Sequence, residues 1–177
     1  MDAEEPSPAA RSPNWLRFIY GRNPALTLVR ILSLIFISIV VFKFVLLPIR
    51  VTGQSMFPTY RNGQIRFVNR LNYLWKAPQR GDIVAVEFQG KEVLLLKRIV
   101  GLPGEHFHVF NGELYINGQK LVEPYANGKV LSPNNKGLGS TREVINLGPT
   151  EYMVIGDNRP VSEGYIKDGK QIVGKVL

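Results

Sequence analysis

An apolar run over residues 24–47 constrains this chain more than any other feature. Pro24 opens it, Pro48 closes it, and between Ile31 and Ile49 the only ionisable side chain is Lys43. Proline suits the first position of a helix, where its missing N–H would go unpaired anyway, and the residue before a proline is steered away from helical geometry. As a helix, the 23 residues from Ala25 would reach about 35 Å, against about 30 Å for the hydrocarbon core of a bilayer. Lys43 lies near one end, where its stem can stay in hydrocarbon while the ammonium reaches the interface. The run predicts a single transmembrane helix in an anchor over 25–49. No second helix-period segment exists for it to pack against as a buried helix. Leu46-Leu47-Pro48-Ile49-Arg50 follows it, not the small-residue site that ends a cleaved signal peptide, so the anchor is expected to be retained.

Residues 1–24 before the anchor read as a disordered, basic tail, because Pro, Ala and Ser dominate its first part and no apolar periodicity appears. Past residue 50 the pattern becomes short β-rich segments punctuated by glycine, which predicts a mainly β fold: an antiparallel β-sheet domain over 50–177. The expected strands are 64–69, 82–88, 92–100, 106–110, 113–116, 141–146 and 151–155. Asn111-Gly112 and Asn117-Gly118 mark hairpin turns. Residues from about 112 to 150 form a smaller β-hairpin or flap excursion, with 124–139 leaving the core as a loop.

The formal net charge of +8 divides between six basic and three acidic residues up to position 50, and sixteen basic and eleven acidic beyond it. The basic residues are thinly spread, which argues against nucleic-acid binding; an attraction to anionic lipid headgroups accounts for the excess equally well. The positive-inside count favours a cytoplasmic N-terminus only slightly. With no cysteine in the chain, disulfides, a thiol nucleophile and thiolate metal sites are excluded.

Chemistry is expected at Ser55, a small hydroxyl between Gly53 and Pro58 on a turn just after the apolar run. A serine hydroxyl is a weak nucleophile at neutral pH and needs a base. His106 and His108, the only histidines, alternate with Phe107 and Val109 and read as the outer face of a strand; no carboxylate cluster at ligand spacing makes them a metal site. The segment 93–100 differs, because it is apolar on both faces. By strand alternation Lys97 shares a face with Val93, Leu95 and Ile99, while Arg98 shares the other with Leu94, Leu96 and Val100. Burial lowers a lysine's pKa, and a fall of about two units from about 10.4 corresponds to about 2.7 kcal/mol. The resulting neutral amine can act as a general base, although a lysine in a structural pair fits the same pattern. Arg98 does not deprotonate and suits an ion pair.

With both residues in view, the chain resembles the type I signal peptidases, membrane-anchored Ser/Lys endopeptidases that remove signal peptides from exported proteins. The resemblance covers roughly residues 30–177. It rests on Ser55-Met56-Phe57-Pro58-Thr59, on Arg80-Gly81-Asp82-Ile83-Val84, on Lys97-Arg98-Ile99-Val100-Gly101-Leu102-Pro103-Gly104-Glu105, and on Gly156-Asp157-Asn158-Arg159, in that order behind one anchor. It implies Ser55 as nucleophile, Lys97 as general base and Ser162 as the hydroxyl that orients the amine. It further implies an oxyanion hole from the Ser55 backbone N–H and Gly53, and a supporting network of Arg98, Asp157, Asn158 and Arg159.

By the same resemblance the partners are signal peptides of secreted preproteins and the lipid bilayer, with no cofactor, no metal and no nucleic acid, and the protein is a monomer. The N-terminus would be cytoplasmic and the β-domain extracytoplasmic, its active site near the membrane, where Phe57, Leu74 and Trp75 could dip in. One box departs from the family: Ser162-Glu163-Gly164-Tyr165 stands where Ser-x-Asp-Ser-Arg is usual, so part of the family's ion-pair network is missing. Two alternatives remain: a catalytically weak or inactive paralogue that binds signal peptides, and a self-cleaving Ser/Lys protease of the SOS-repressor type.

Overall fold

The computed structural model describes residues 23–88, 93–130 and 144–177. The chain divides into two units, one up to Val41 and one from Phe42 to Leu177. The amino-terminal tail lies outside the described residues.

In the first unit, α1 (Pro24–Val40) begins as the proline predicts, with Asn23 as N-cap accepting from the Ala25 N–H at 3.1 Å. The Ser33 hydroxyl donates to the Val29 carbonyl at 2.8 Å, so this polar group is satisfied within the helix. The helical run over Ala25–Val45, 21 residues with mean hydropathy 2.6, has none of its apolar surface buried and is long and apolar enough to cross a membrane. Its last five residues, Val41–Val45, are wound as a π turn.

The expectation of an anchor through 49 differs from the structure here. Leu46–Arg50 is an extended strand, β1, antiparallel to β2 (Ile65–Asn69), with Pro48 opposite Phe67. The reason is physical: β1 is an edge strand, where a residue without an N–H is tolerated. A short apolar run also cannot be told from helix by periodicity.

The second unit contains two antiparallel sheets. The larger has the order β1-β2-β11-β3-β4-β9-β10, with β3 at Ile83–Phe88, β4 at Val93–Gly101, β9 at Glu151–Ile155, β10 at Tyr165–Asp168 and β11 at Ile172–Val176. The smaller has the order β7-β6-β5-β8, from β5 (His106–Phe110), β6 (Glu113–Ile116), β7 (Gln119–Lys120) and β8 (Ile145–Asn146). Its hairpins turn at Asn111-Gly112 and Asn117-Gly118, all four residues with positive φ between 51° and 78°. That geometry is the Asn-Gly signature of a tight hairpin. The excursion expected over about 112–150 is thus a four-stranded sheet that also draws in β5. Its loop beyond Val130, and the expected strand start at 141, lie outside the described residues.

The large sheet is buried on both faces. Val68, Ala85 and Val176 pack on one side with Val51, Met56 and Tyr60, whereas Val84, Val86, Ile99 and Val154 pack on the other. Phe107, Val109 and Leu114 of the small sheet share a third cluster with Val100, Met153 and Ile155 of the large one.

Candidate active site

The Ser55 turn is held at both ends by the β1–β2 hairpin. Val51 donates to the Gln64 carbonyl and accepts from the Gly63 N–H, both at 2.8 Å. Gly53 has φ +89°, which an L side chain would resist, and its N–H donates to Asn62 Oδ1 at 3.1 Å. Met56, 2% exposed, plugs the core immediately after Ser55. Ser55 itself is half-buried, and neither its N–H nor its Oγ has a hydrogen-bond partner among the described residues. The Gly53 N–H, expected to help stabilise an oxyanion, is instead occupied by Asn62.

Lys97 lies on β4 opposite Val84 of β3 and is only 4% exposed. Its Nζ donates to Ser162 Oγ at 2.9 Å and lies 5.7 Å from the centre of the Tyr165 ring. One hydrogen bond is poor provision for an ammonium with three donors, so burial favours the neutral amine. Burial is indeed the dominant effect, taking the Lys97 pKa down to about 8 from 10.5, with the Glu163 carboxylate pulling weakly the other way. Ser162 Oγ also accepts from the Gly156 N–H at 2.7 Å and donates to the Glu163 carbonyl at 3.3 Å, so two donors and one acceptor fix its rotamer.

Gly156 joins the two halves of the site. A methyl group at its Cα would collide with both the Ser55 carbonyl oxygen and Ser162 Oγ. The Ser55 backbone and the hydroxyl that holds Lys97 therefore press against the same Cα. Asn158 adds two more ties, its N–H donating to the Ser55 carbonyl at 2.9 Å and its Nδ2 to the Gln54 carbonyl at 3.1 Å.

Around this joint lies a charge network. Arg98 grips Asp157 through Nε at 2.8 Å and Nη2 at 2.6 Å, and the Thr59 hydroxyl donates to the same carboxylate at 2.5 Å. Such forked, charge-assisted pairs are short and directional. Arg159 turns instead to Glu123, which sequence reasoning did not single out. Thr59, Asn62, Tyr125 and Asn127 were missed as well. Each is an ordinary polar residue in a loop, and only long-range contacts give it a role.

Beside Ser55 a cavity of about 340 Å³ runs between residues 49–56 and 93–96. Among the described residues β4 pairs with β9 only from Arg98 onward, which leaves that edge of 93–97 without a strand partner, and residues 93–96 line this groove. A larger cavity of about 700 Å³, lined by Leu114, Leu121 and Val122, lies on the small-sheet side. The smaller one holds Ser55, whereas Lys120 and Lys129 in the larger are both engaged by Glu113. His106 meets Asn146 and His108 stacks on Tyr115, both on the small sheet. Among the described residues no group of three His, Cys, Asp or Glu side chains could hold a metal ion.

Fold and site together define a class: an antiparallel β-domain that presents an unbonded serine on a Gly/Pro turn, linked through Gly156 to the hydroxyl that holds a desolvated lysine. Comparison with known proteins narrows this. The profile of the family described as "Signal peptidase, peptidase S26" matches residues 25–176, and the chain belongs to that family. It is similar to a signal peptidase I of Bacillus amyloliquefaciens, 35% identical over 126 residues that cover 70% of this chain and 65% of the relative. It is also similar to a signal peptidase IB of Staphylococcus aureus (strain N315), 34% identical over 155 residues, or 79% of this chain and 80% of the relative. A solved signal peptidase I of Enterococcus faecalis V583 aligns at 30% identity and TM-score 0.46, covering 58% of this chain and 98% of that one. The match to the first of these relatives thus spans slightly less than two thirds of its length.

Proposed function

We propose that this protein is a membrane-anchored serine endopeptidase that removes amino-terminal signal peptides from exported preproteins, with Ser55 as nucleophile and Lys97 as general base. The observation that carries this reading is the Lys97 amine, buried, with Ser162 Oγ as its partner across Gly156 from Ser55.

The groove suits an extended peptide. A strand added at the free edge of β4 would gain main-chain hydrogen bonds whatever its sequence, while the shallow cavity beside Ser55 selects small side chains. Ser55 Oγ attacks the scissile carbonyl carbon as its proton passes to the neutral Lys97 amine. The unengaged Ser55 N–H is available to the oxyanion. Collapse of the tetrahedral intermediate breaks the peptide C–N bond, Lys97 returns the proton to the departing amine, and an acyl-enzyme remains. Lys97 then takes a proton from water, which attacks the ester carbonyl; the acyl C–O bond breaks, Lys97 returns the proton to Ser55 Oγ, and the signal peptide leaves with a new carboxyl terminus.

We place the N-terminus in the cytoplasm and the β-domain outside, and take the monomer as the working unit. The experiment is processing of a preprotein by membrane-inserted wild type, Ser55→Ala and Lys97→Ala; full cleavage by either variant rejects the dyad. The altered box after Ser162 supports the second reading, a signal-peptide binder without catalysis. Covalent labelling of Ser55 by a serine-acylating inhibitor separates the two, since a pure binder does not react.

A further inference from the structure

The chain lacks the Asp and Arg that its family usually carries after the orienting serine, yet the turn holding Ser162 is braced from another direction. Arg159, 2% exposed, donates through Nη1 and Nη2 to both oxygens of Glu123 at 2.7 and 2.5 Å, and that carboxylate is itself 8% exposed. The Tyr125 hydroxyl donates to Glu123 Oε1 at 2.9 Å. Burial first, and then the neighbouring Glu123 charge, hold this phenol protonated far above its ordinary range, so it remains a donor. The face of the same ring lies 4.0 Å from the Arg98 guanidinium carbon. Two residues on, the Asn127 N–H donates to the Asp157 carbonyl at 2.7 Å and its carbonyl accepts from the Arg159 N–H at 3.0 Å. The segment leading out of the small sheet therefore lies as a short parallel bridge along 157–159, the stretch whose Asn158 holds the Ser55 carbonyl.

Taking the proposed Ser55–Lys97 chemistry as its basis, we infer that Glu123 and Tyr125 are positioning residues of the active site, bracing Ser55 and Ser162 from the small sheet through Arg159 and Arg98. A forked, buried Arg–carboxylate pair has one strongly preferred geometry. Removing one partner strands the other charge in a buried site, which loosens the turn or forces it to rearrange. Neither residue reaches the groove beside Ser55, whose lining is 49–56 and 93–96. The effect should therefore fall on the chemical step and leave peptide binding nearly intact.

The test compares the full-length, membrane-inserted wild type with Glu123→Gln and Tyr125→Phe. Measurements are kcat and KM for a preprotein and the rate of Ser55 acylation by a serine-directed inhibitor, all well below each variant's Tm. The expected result is a fall in kcat and acylation rate of about tenfold or more for Glu123→Gln, with KM within about twofold. Tyr125→Phe keeps the ring over Arg98 and should fall less, in the same direction. Should Glu123→Gln fail to fold, Tyr125→Phe carries the comparison. Wild-type acylation rates in the folded variants, or a lower Tm with unchanged kcat, overturn the inference, since a purely structural brace would do only that. Absence of cleavage and labelling in the wild type would instead overturn the underlying peptidase reading.

Discussion

At the scale of single residues, the state of one proton decides what the site can do. Burial holds the Lys97 pKa near 8, so at neutral pH most of the free enzyme carries a protonated amine. The active fraction then grows about tenfold for each pH unit below that value. The expected kcat/KM profile rises with pH and levels off above about 8; a flat profile between pH 6 and 8 would count against Lys97 as base. Because Glu163 pulls the pKa upward, Glu163→Gln should move the rising limb to lower pH. Stability has its own sign. Between about 8 and 10.5 the unfolded state binds more protons at Lys97 than the folded one, so this residue's contribution makes the protein more resistant to denaturant as pH rises through that window. Gly156→Ala is expected to lower activity by about a hundredfold, measured as inhibitor acylation of Ser55, because the added methyl meets both the Ser55 carbonyl and Ser162 Oγ. Lys97 was legible in the sequence because an unbroken apolar alternation around a lysine predicts desolvation. Ser162 became legible only through family resemblance, and Glu123 not at all, since its partner Arg159 lies 36 residues away.

At the scale of elements, β5, β6 and β9 fall where turn chemistry and alternation put them, β2 and β3 each begin one residue later than expected, and β4 runs one residue past its expected end, to Gly101. β1 was hidden inside an apolar run continuous with the anchor. β10 and β11 were hidden for another reason: both are short, β10 carries a charged residue on each face and β11 is interrupted by Gly174, so that sheet pairing, not local pattern, makes them strands. β11 nonetheless sits between β2 and β3 in the middle of the large sheet. A methyl group at Gly174 would strike the Asn69 backbone carbonyl across that pairing. Gly174→Ala should destabilise the fold by about 1–3 kcal/mol, seen as a lower urea midpoint.

At the scale of the whole molecule, the two units divide the work between attachment and chemistry. None of the apolar window of the helix is buried among the described residues, so full-length protein is expected to resist carbonate extraction from membranes. A chain beginning at Phe42 should be released by that treatment, yet still react with the Ser55 inhibitor, because every residue of the site lies in the second unit. Loss of labelling on removal of the helix would mean that the two units are not separable in this way. The sequence put a change from anchor to β-domain at residue 50, since a shift from helical to two-residue periodicity needs no tertiary information, whereas the boundary between the two units falls between Val41 and Phe42. It did not foresee that the small sheet also reaches back to the catalytic turn through Asn127.

The position of β11 also sets a clock. Ser55 follows β1 and Lys97 lies on β4, and within the large sheet the β1–β2 hairpin is joined to β3 and β4 by residues 172–176. During synthesis both side chains leave the ribosome long before the strand that joins them. The large sheet cannot close until that segment has been made and delivered to the rest of the domain. Under the proposed Ser55–Lys97 chemistry, a nascent chain is therefore expected to stay inactive until residues 172–176 have joined the sheet.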